Sequence, residues 1–248
     1  VSIPSVNPPK LNARFSIDSS SITVYGVDRF FLSDSLKVFI EPRDRQVKII
    51  GNRDIEFAGQ LNAGNFQTFG EKLRFNYTDF KVEMGKIDSI LITTPSQKKG
   101  GKPSVSKMYG QDKNAKEGDK AFGSGILYIN EPDNRSALRS IPKYPIFDIN
   151  TPSFIYFDKP EYLKGKYSSR VFFKLPPFKV DSTSGKHAKT IGFEGNFTSD
   201  SIFPTFPEKL KIQQDKSLGF VHQTPAEGYP LFGTEARFFG TISLDYRG

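Results

Sequence analysis

Apolar and polar residues alternate with a period of two along most of the chain, which is typical of strands with one buried face. Thr78-Asp79 predicts a tight turn between two such stretches. No window of useful length has the 3.6-residue period of a helix. The pattern therefore predicts an all-β chain with predominantly antiparallel strands and little or no helix. The clearest alternating sets are Leu36, Val38 and Ile40; Ile55, Phe57 and Leu61; Leu73, Phe75 and Tyr77; and Phe80, Val82 and Met84.

Parts of the chain are similar to one another, which predicts an internal duplication. With one gap, IEFAGQLNAGNFQTFGEKLRF (55–75) and IGFEGNFTSDSIFPTFPEKLKI (191–212) share nine of 21 aligned residues. Two more blocks keep the same order: LKVFIEP (36–42) matches VFFKLPP (171–177), and FSIDSSSITVY (15–25) matches FDINTPSFIYF (147–157). Three collinear blocks predict two related β-rich units, which form either sandwiches or a stacked open β-structure.

The repeat suggests a division of the chain. Residues 1–13 are a proline-containing extended lead-in, 14–94 the first β unit, 95–121 a Gly-, Lys- and Ser-rich linker or loop, and 122–248 the second unit. Residues 222–233 (HQTPAEGYPLFG) predict an insertion loop in the second unit. A start at Val1 and an end directly after a strand-like run favour a piece of a longer protein.

Composition agrees with the strand pattern and removes several kinds of chemistry. The chain has 24 Phe and 10 Tyr but two Met and no Trp, a bias that suits sheet surfaces. It has no Cys, which excludes disulfides, thiolate metal sites and a Cys nucleophile. Mean hydropathy is −0.45, and no apolar run approaches the ~18–20 residues that would span a bilayer. We therefore expect no transmembrane segment in this chain.

The net charge of +8 is partly concentrated in one lysine-rich stretch. Lys98, Lys99, Lys102 and Lys107 are candidate contacts for a polyanion, and a solvated loop is the alternative. Nucleic acid is not an expected partner, because Tyr109 is the one aromatic residue interleaved with these lysines that could stack on a base.

Aromatic residues between 144 and 162 form the candidate ligand platform. Tyr144, Phe154, Tyr156 and Tyr162 could present rings to a glycan, although packing in the core is the competing explanation.

No motif predicts a catalytic, metal or cofactor site. The motif F-x-T-F-x-E-K-L occurs twice and is interpreted as a structural corner. His187 and His222 have no partner at ligand spacing. Glycoside hydrolysis would need two carboxylates about 5–10 Å apart, and the sequence does not bring any two together. The available carboxylates are Glu56, Glu71, Glu194 and Glu208.

Three segments resemble a group of very long, uncharacterised proteins of Bacteroidota bacteria: YPIFDINTPSFIYFD (144–158), FFKLPPFKVDS (172–182) and residues 192–233. The resemblance implies a segment of a large β-rich exported or envelope protein, located in the periplasm, at the outer membrane surface or outside the cell. The stretch GQLNAGNFQTFGEKLRFNYTDFKVEM (59–84) also looks like the amphipathic strands of AsmA/TamB-type envelope proteins. That likeness implies an open β-groove that carries lipid.

Three functions follow as hypotheses. The first is a non-catalytic structural or interaction module, whose partners are other segments of its parent chain or other envelope proteins. The second is a lipid- or glycan-binding β-groove, and the third a carboxylate-dependent glycoside hydrolase.

Overall fold

The computed structural model describes residues 1–7, 9–94, 104–160, 162–181, 192–213 and 218–244. Within these ranges the chain forms β-strands and four short 3-10 turns, Arg43–Arg45, Gly51–Arg53, Glu117–Asp119 and Leu163–Gly165, and no α-helix. The strand pairs are antiparallel, so the all-β prediction is confirmed. The strands are β1 Ala13–Ser16, β2 Ser21–Tyr25, β3 Phe30–Ser33, β4 Val38–Pro42, β5 Gln46–Ile49, β6 Ile55–Ala63, β7 Phe66–Asn76, β8 Lys81–Thr94, β9 Ser104–Tyr109, β10 Gly123–Tyr128, β11 Ile146–Ile149, β12 Ser153–Tyr156, β13 Val171–Leu175, β14 Phe178–Val180, β15 Gly192–Ser199, β16 Phe206–Ile212, β17 Leu218–Gln223, β18 Tyr229–Pro230, β19 Arg237–Phe238 and β20 Thr241–Leu244.

The chain divides into two compact units, each made of separate stretches of sequence. The first unit comprises Val1–Leu91, Phe122–Thr151 and Pro177–Ala188, and the second comprises Ile92–Ala121, Pro152–Pro176 and Lys189–Gly248. These units are defined by which residues lie close together in the folded chain, not by the sequence repeat. The sequence division around residues 95–121 and the duplication behind it stay predictions.

In the first unit, β6 is the strand on which the others are organised. One edge of β6 pairs first with β5 and then with β4, while its other edge pairs with β7. β5 continues through β2 to β1, and β4 continues to β3. The ladder β8–β10–β11–β14 forms the rest of the unit. Phe66 and Phe147 are both buried in this core, with ring centroids 5.2 Å apart.

Gly59 allows β6 to change partner along one edge. The register of the β6–β7 pairing on the opposite edge shifts between Phe57 and Gly59, and Gly59 has φ +135. A Cβ there would lie 2.5 Å from the carbonyl oxygen of Glu41, so the close approach of β4 requires glycine.

The second unit is built on the antiparallel ladder β9–β12–β13–β15–β16–β17–β20, with β18 and β19 as a separate pair. Its core is largely phenylalanine. Phe197 lies 4.9 Å from Phe220 and 5.5 Å from Phe206, measured between ring centroids, and all three rings are buried. The Phe-rich composition noted in the sequence is used here for packing.

The longest pair of similar segments forms an antiparallel hairpin in each unit. Phe57 lies opposite Leu73 in β6–β7, and the aligned residues Phe193 and Leu210 lie opposite each other in β15–β16. The connections differ, because Gly64-Asn65 joins the first hairpin whereas residues 200–205 join the second.

The segments predicted to be loops contain some regular structure. The described part of 95–121 contains β9 and the 3-10 turn Glu117–Asp119. In the predicted insertion 222–233, β17 continues to Gln223 and β18 begins at Tyr229. Among the described residues, no helix is long and apolar enough to cross a membrane.

Candidate functional site

The predicted aromatic platform is divided between the two units and is partly buried. Tyr144 belongs to the first unit and is half-buried, with the Lys143 ammonium 5.1 Å from its ring centre. In the second unit Phe154 is 7% exposed and Tyr156 is fully buried, so neither can offer a ring face to a glycan. Tyr162 is half-buried.

Tyr156 instead forms a buried polar contact with the segment that follows β9. Its hydroxyl donates to Asp112 Oδ1 at 2.9 Å and accepts the Lys113 amide hydrogen at 2.7 Å. Burial raises the pKa of Tyr156, and the neighbouring charge of Asp112 adds to the rise. The Lys113 ammonium lies 4.6 Å from the Tyr156 ring centre. These contacts fasten residues 112–113 to the core of the second unit.

Of the four candidate polyanion contacts, Lys98, Lys99 and Lys102 lie outside the described residues. Lys107 is half-buried on β9, with its ammonium 4.9 Å from the ring centre of Tyr109. Of the four lysines, Lys107 is therefore the one among the described residues, and it lies against an aromatic ring of its own strand.

The four candidate carboxylates lie beside basic side chains, two carboxylates in each unit. In the first unit Glu56 lies opposite Arg74, and hydrogen bonds from Lys86 and Arg43 lower the pKa of Glu71. A glycosidase general acid needs a raised pKa, so Glu71 suits an ion pair rather than that role.

In the second unit Glu194 is largely exposed and lies 3.5 Å from Lys209, while Glu208 bonds to His222.

The bond between Glu208 and His222 is part of a short polar chain that sequence spacing did not reveal. His222 Nδ1 lies 2.8 Å from Glu208 Oε2, and its Nε2 lies 2.9 Å from the Tyr229 hydroxyl. Since a carboxylate only accepts, Nδ1 donates, and a neutral ring then accepts the Tyr229 hydroxyl hydrogen at Nε2. The antiparallel pairing of β16 with β17 brings Glu208 and His222 together although they are 14 positions apart, and Tyr229, 7 positions after His222, reaches the ring from β18.

The carboxylate, imidazole and phenol follow one another in the order of a catalytic triad, but the phenol of Tyr229 is not activated as a nucleophile. Burial raises the pKa of Tyr229, and the charges of Glu227 and Glu208 raise it further. A raised pKa keeps the phenol protonated, whereas a nucleophile needs a lowered one. The imidazole also stacks on Phe206, with centroids 4.0 Å apart. The arrangement fastens the β18 segment to β16 and β17.

The longer second hairpin connection lines a hollow of about 320 Å³. Its lining includes Phe203 and Thr205 together with the hydroxyl residues Thr198 and Ser201. In the first hairpin the motif residues aligned with Phe203 and Thr205, Phe66 and Thr68, are buried.

The strongest candidate for an interaction site is the outer end of the first unit's sheet. One register row runs across five strands, and its exposure rises steadily towards β1. Phe75 on β7 is fully buried and Ile55 on β6 is 3% exposed, whereas Ile22 on β2 is 37% exposed and Phe15 on β1 is 64% exposed. The row is Phe75, Ile55, Ile49, Ile22 and Phe15.

Exposed apolar residues also flank β1 on both sides. Leu11 and Ile17, which have the same parity as Phe15, are 79% and 80% exposed. The adjacent row carries polar residues from β1 to β7: Arg14, Thr23, Lys48, Glu56 and Arg74. The apolar layer of the sheet thus extends past the part of the unit that covers it.

β1 also has unpaired backbone groups along its outer edge. The Tyr25 amide donates to the Asn12 carbonyl at 2.8 Å, and Asn12 lies opposite Tyr25 in the register that pairs Ala13 with Val24. Hydrogen-bonded pairs alternate along an antiparallel ladder, so the N–H and C=O groups of Ala13 and Phe15 point away from β2. Among the described residues β2 is the strand whose register with β1 is defined, and no strand pairs with the other edge of β1.

The described residues contain no group of three or more His, Cys, Asp or Glu that could hold a metal ion. Comparisons with protein-family models, with curated proteins and with solved structures give no match to this chain.

Proposed function

We propose that the protein is a non-catalytic interaction module that binds a β-strand of a partner along the edge of β1. The observation that carries the proposal is the apolar row that ends at the exposed Phe15, on a strand whose outward N–H and C=O groups have no strand partner among the described residues. An added strand would pair with those groups and continue the apolar row.

The charge beside this edge favours a partner other than a second copy of the chain. Lys10 and Arg14 are exposed at β1, and the whole chain carries a net charge of +8. A second copy would bring the same positive charge to the interface. The fitting partner is an amphipathic strand whose polar face is acidic, supplied by another segment of the parent chain or by another envelope protein. The resemblance of 144–158, 172–182 and 192–233 to very long, uncharacterised Bacteroidota proteins implies an exported or envelope protein. It supports the periplasm, the outer membrane surface or the cell exterior as the location.

The test uses a fluorescent ten-residue peptide that alternates Val and Glu, with a Val–Lys peptide as the matched control. Fluorescence anisotropy with the full chain should show binding of the Val–Glu peptide. Ala13→Pro removes an outward N–H and leaves the hydrogen bonds between β1 and β2, and Phe15→Ser removes the apolar contact. Each change should weaken binding roughly tenfold, whereas Leu138→Ser, at a residue 91% exposed elsewhere in the first unit, should not.

Hydrogen exchange supplies an internal control within β1. In the free chain the amide hydrogens of Ala13 and Phe15 should exchange fast and that of Arg14 slowly, because Arg14 donates towards β2. The Val–Glu peptide should slow exchange at Ala13 and Phe15.

Unchanged exchange at both residues, or equal affinity of Ala13→Pro and the unaltered chain, would refute strand addition. Binding of phosphatidylcholine vesicles that is lost in Phe15→Ser would instead show that the face takes lipid. A concentration-dependent dimer that is lost in Ala13→Pro would show that the occupant is a second copy.

A further inference from the structure

The hollow of about 320 Å³ in the second unit is lined by two segments that are hydrogen-bonded to each other. The Phe232 amide donates to the Ile202 carbonyl at 3.1 Å, which joins the segment after β18 to the connection between β15 and β16. Tyr229, next to Pro230, is held by its hydrogen bond to His222. The lining residues are Thr198, Ser201, Phe203, Pro204, Thr205, Pro230 and Gly233.

The connection between β15 and β16 is held in one shape by its own hydrogen bonds. The Ser199 hydroxyl accepts the Phe203 amide hydrogen at 2.8 Å and donates to the Phe203 carbonyl at 3.1 Å. Asp200 and Ser201 have left-handed backbone, with φ 53 and φ 66, and the Ser168 hydroxyl donates to the Asp200 carboxylate at 2.8 Å. The hollow is therefore formed before any ligand arrives, which lowers the entropic cost of binding.

The lining combines hydroxyl groups with ring surfaces. Three side chains supply hydroxyls that can both donate and accept, and the Thr198 and Thr205 oxygens lie 3.3 Å apart. The half-buried Phe203 ring packs on Phe238, with centroids 5.6 Å apart, and two prolines add further apolar surface. Among the described residues, those that line the hollow carry no charge. The surface therefore suits a neutral ligand that has both hydroxyl groups and C–H faces.

The first hairpin uses the same two residue types differently. Phe66 and Thr68, which align with Phe203 and Thr205, lie within β7 and are 0% and 1% exposed. Phe203 and Thr205 lie in the six-residue connection before β16, where Phe203 is half-buried and Thr205 is exposed. The longer connection therefore places a phenylalanine and a threonine at a solvent-facing hollow, whereas the first hairpin uses them for packing.

We propose that this hollow binds one pyranose ring of a neutral glycan. An ionised ligand would find no opposite charge in the lining, and a hydrocarbon chain would cover the three hydroxyls without bonding to them. A sugar ring pairs with the hydroxyls and lays its C–H face on Phe203. The volume is at the lower end of the range of about 300–1,000 Å³ for ligand pockets, which fits one ring with the rest of the glycan in solvent. The site does not rest on strand binding at β1.

The test titrates the methyl glycosides of glucose, mannose and galactose separately into the ¹⁵N-labelled full chain. At least one should shift the amide signals of Ser201, Thr205 and Gly233 along a saturating curve, with a dissociation constant on the order of 1 mM. Thr205→Val removes a hydroxyl at an exposed residue and keeps the side-chain shape, so it should weaken binding roughly fivefold. Thr241→Val makes the same change at an exposed residue of β20 and should leave the affinity unchanged.

Saturation-transfer NMR tests the role of the Phe203 ring. Irradiation of the aromatic protons should saturate the C–H protons of the bound sugar. Phe203→Leu keeps an apolar contact with Phe238 but removes the ring, so the transfer should be lost. Because Phe203 also packs in the folded chain, the exposed Thr205 is the deciding position for affinity.

Two further ligands test the chemical class. Methyl glucuronide differs from the glucoside by a carboxylate, and at constant ionic strength it should bind no more tightly than the glucoside. Tighter binding of the glucuronide, or of dihexanoylphosphatidylcholine at the same amides, would overturn the proposal. So would a lack of saturation with all three glycosides, or equal affinity of Thr205→Val and the unaltered chain. Ala13→Pro should leave glycoside binding unchanged, so this proposal and strand binding at β1 can fail separately.

Discussion

Phe15 and Phe75 occupy the two ends of one register row, and replacing each by alanine should have opposite consequences. Phe75 is fully buried, and truncation of a buried phenylalanine to alanine costs about 3–5 kcal/mol of unfolding free energy. Phe15 is 64% exposed and has one cross-strand neighbour, Ile22. Its truncation should cost less than about 1 kcal/mol. Both residues are phenylalanines on the same face of the sheet. The difference between their two unfolding costs therefore reports how well the folded chain covers each end of the row.

Urea unfolding followed by far-UV circular dichroism measures both costs, provided that the slope of free energy against urea is unchanged. The peptide assay should give the reverse order, since Phe15→Ala should weaken peptide binding and Phe15 contributes little to folding. Comparable unfolding costs for the two variants would mean that Phe15 is covered in the free chain. The edge of β1 would then not be open in the free chain.

Three further predictions concern packing and titration. Gly70→Ala would place a Cβ 2.2 Å from the Lys86 carbonyl oxygen and should cost about 2–4 kcal/mol in urea unfolding, whereas Gly51→Ala, with no atom within 4 Å, should be nearly neutral. The pKa of Tyr156 is raised in the folded state, so its contribution to stability is complete below pH 10 and is lost as the pH rises further. Tyr156→Phe should therefore reduce the loss of stability between pH 9 and pH 11. His222→Phe keeps a stacking ring but removes both imidazole hydrogen bonds, so it should speed hydrogen exchange in residues 224–240 and cost about 1–2 kcal/mol.

Local alternation was enough to predict the strands but not their partners. The alternating sets around Val38, Phe57, Phe75 and Val82 fall in β4, β6, β7 and β8. Alternation describes which side of a strand is buried, and it contains no information about which distant strand lies alongside. The pairing of β10 with β8 and of β14 with β11 therefore could not be predicted, nor could the composition of each compact unit from separate stretches.

The candidate site was harder to predict because its defining property is exposure. The sequence shows an apolar residue at every second position, at Leu11, Ala13, Phe15 and Ile17. A strand whose apolar face is buried has the same pattern, so the pattern does not reveal that this face is exposed. Aromatic density marks Phe154 and Tyr156 as candidates for an exposed platform, but both are buried, like every residue of β12. The partners of His222 were missed for the same reason as the strand pairings.

Natural sheets usually protect their edges, and the weak protection of β1 is itself informative. Charged residues, prolines and bulges block the addition of strands at most edges. Along Ala13–Ser16 the one such device is Arg14, on the polar face, while the apolar face carries Phe15 without a covering group. An edge of this kind either recruits partners without selection or has a specific partner that covers it. Arg14 favours the second alternative, because a positive charge at this position repels strands with basic polar faces and admits acidic ones. The Val–Glu and Val–Lys peptides therefore test selectivity as well as binding, and equal affinity for both would show an edge that is merely adhesive.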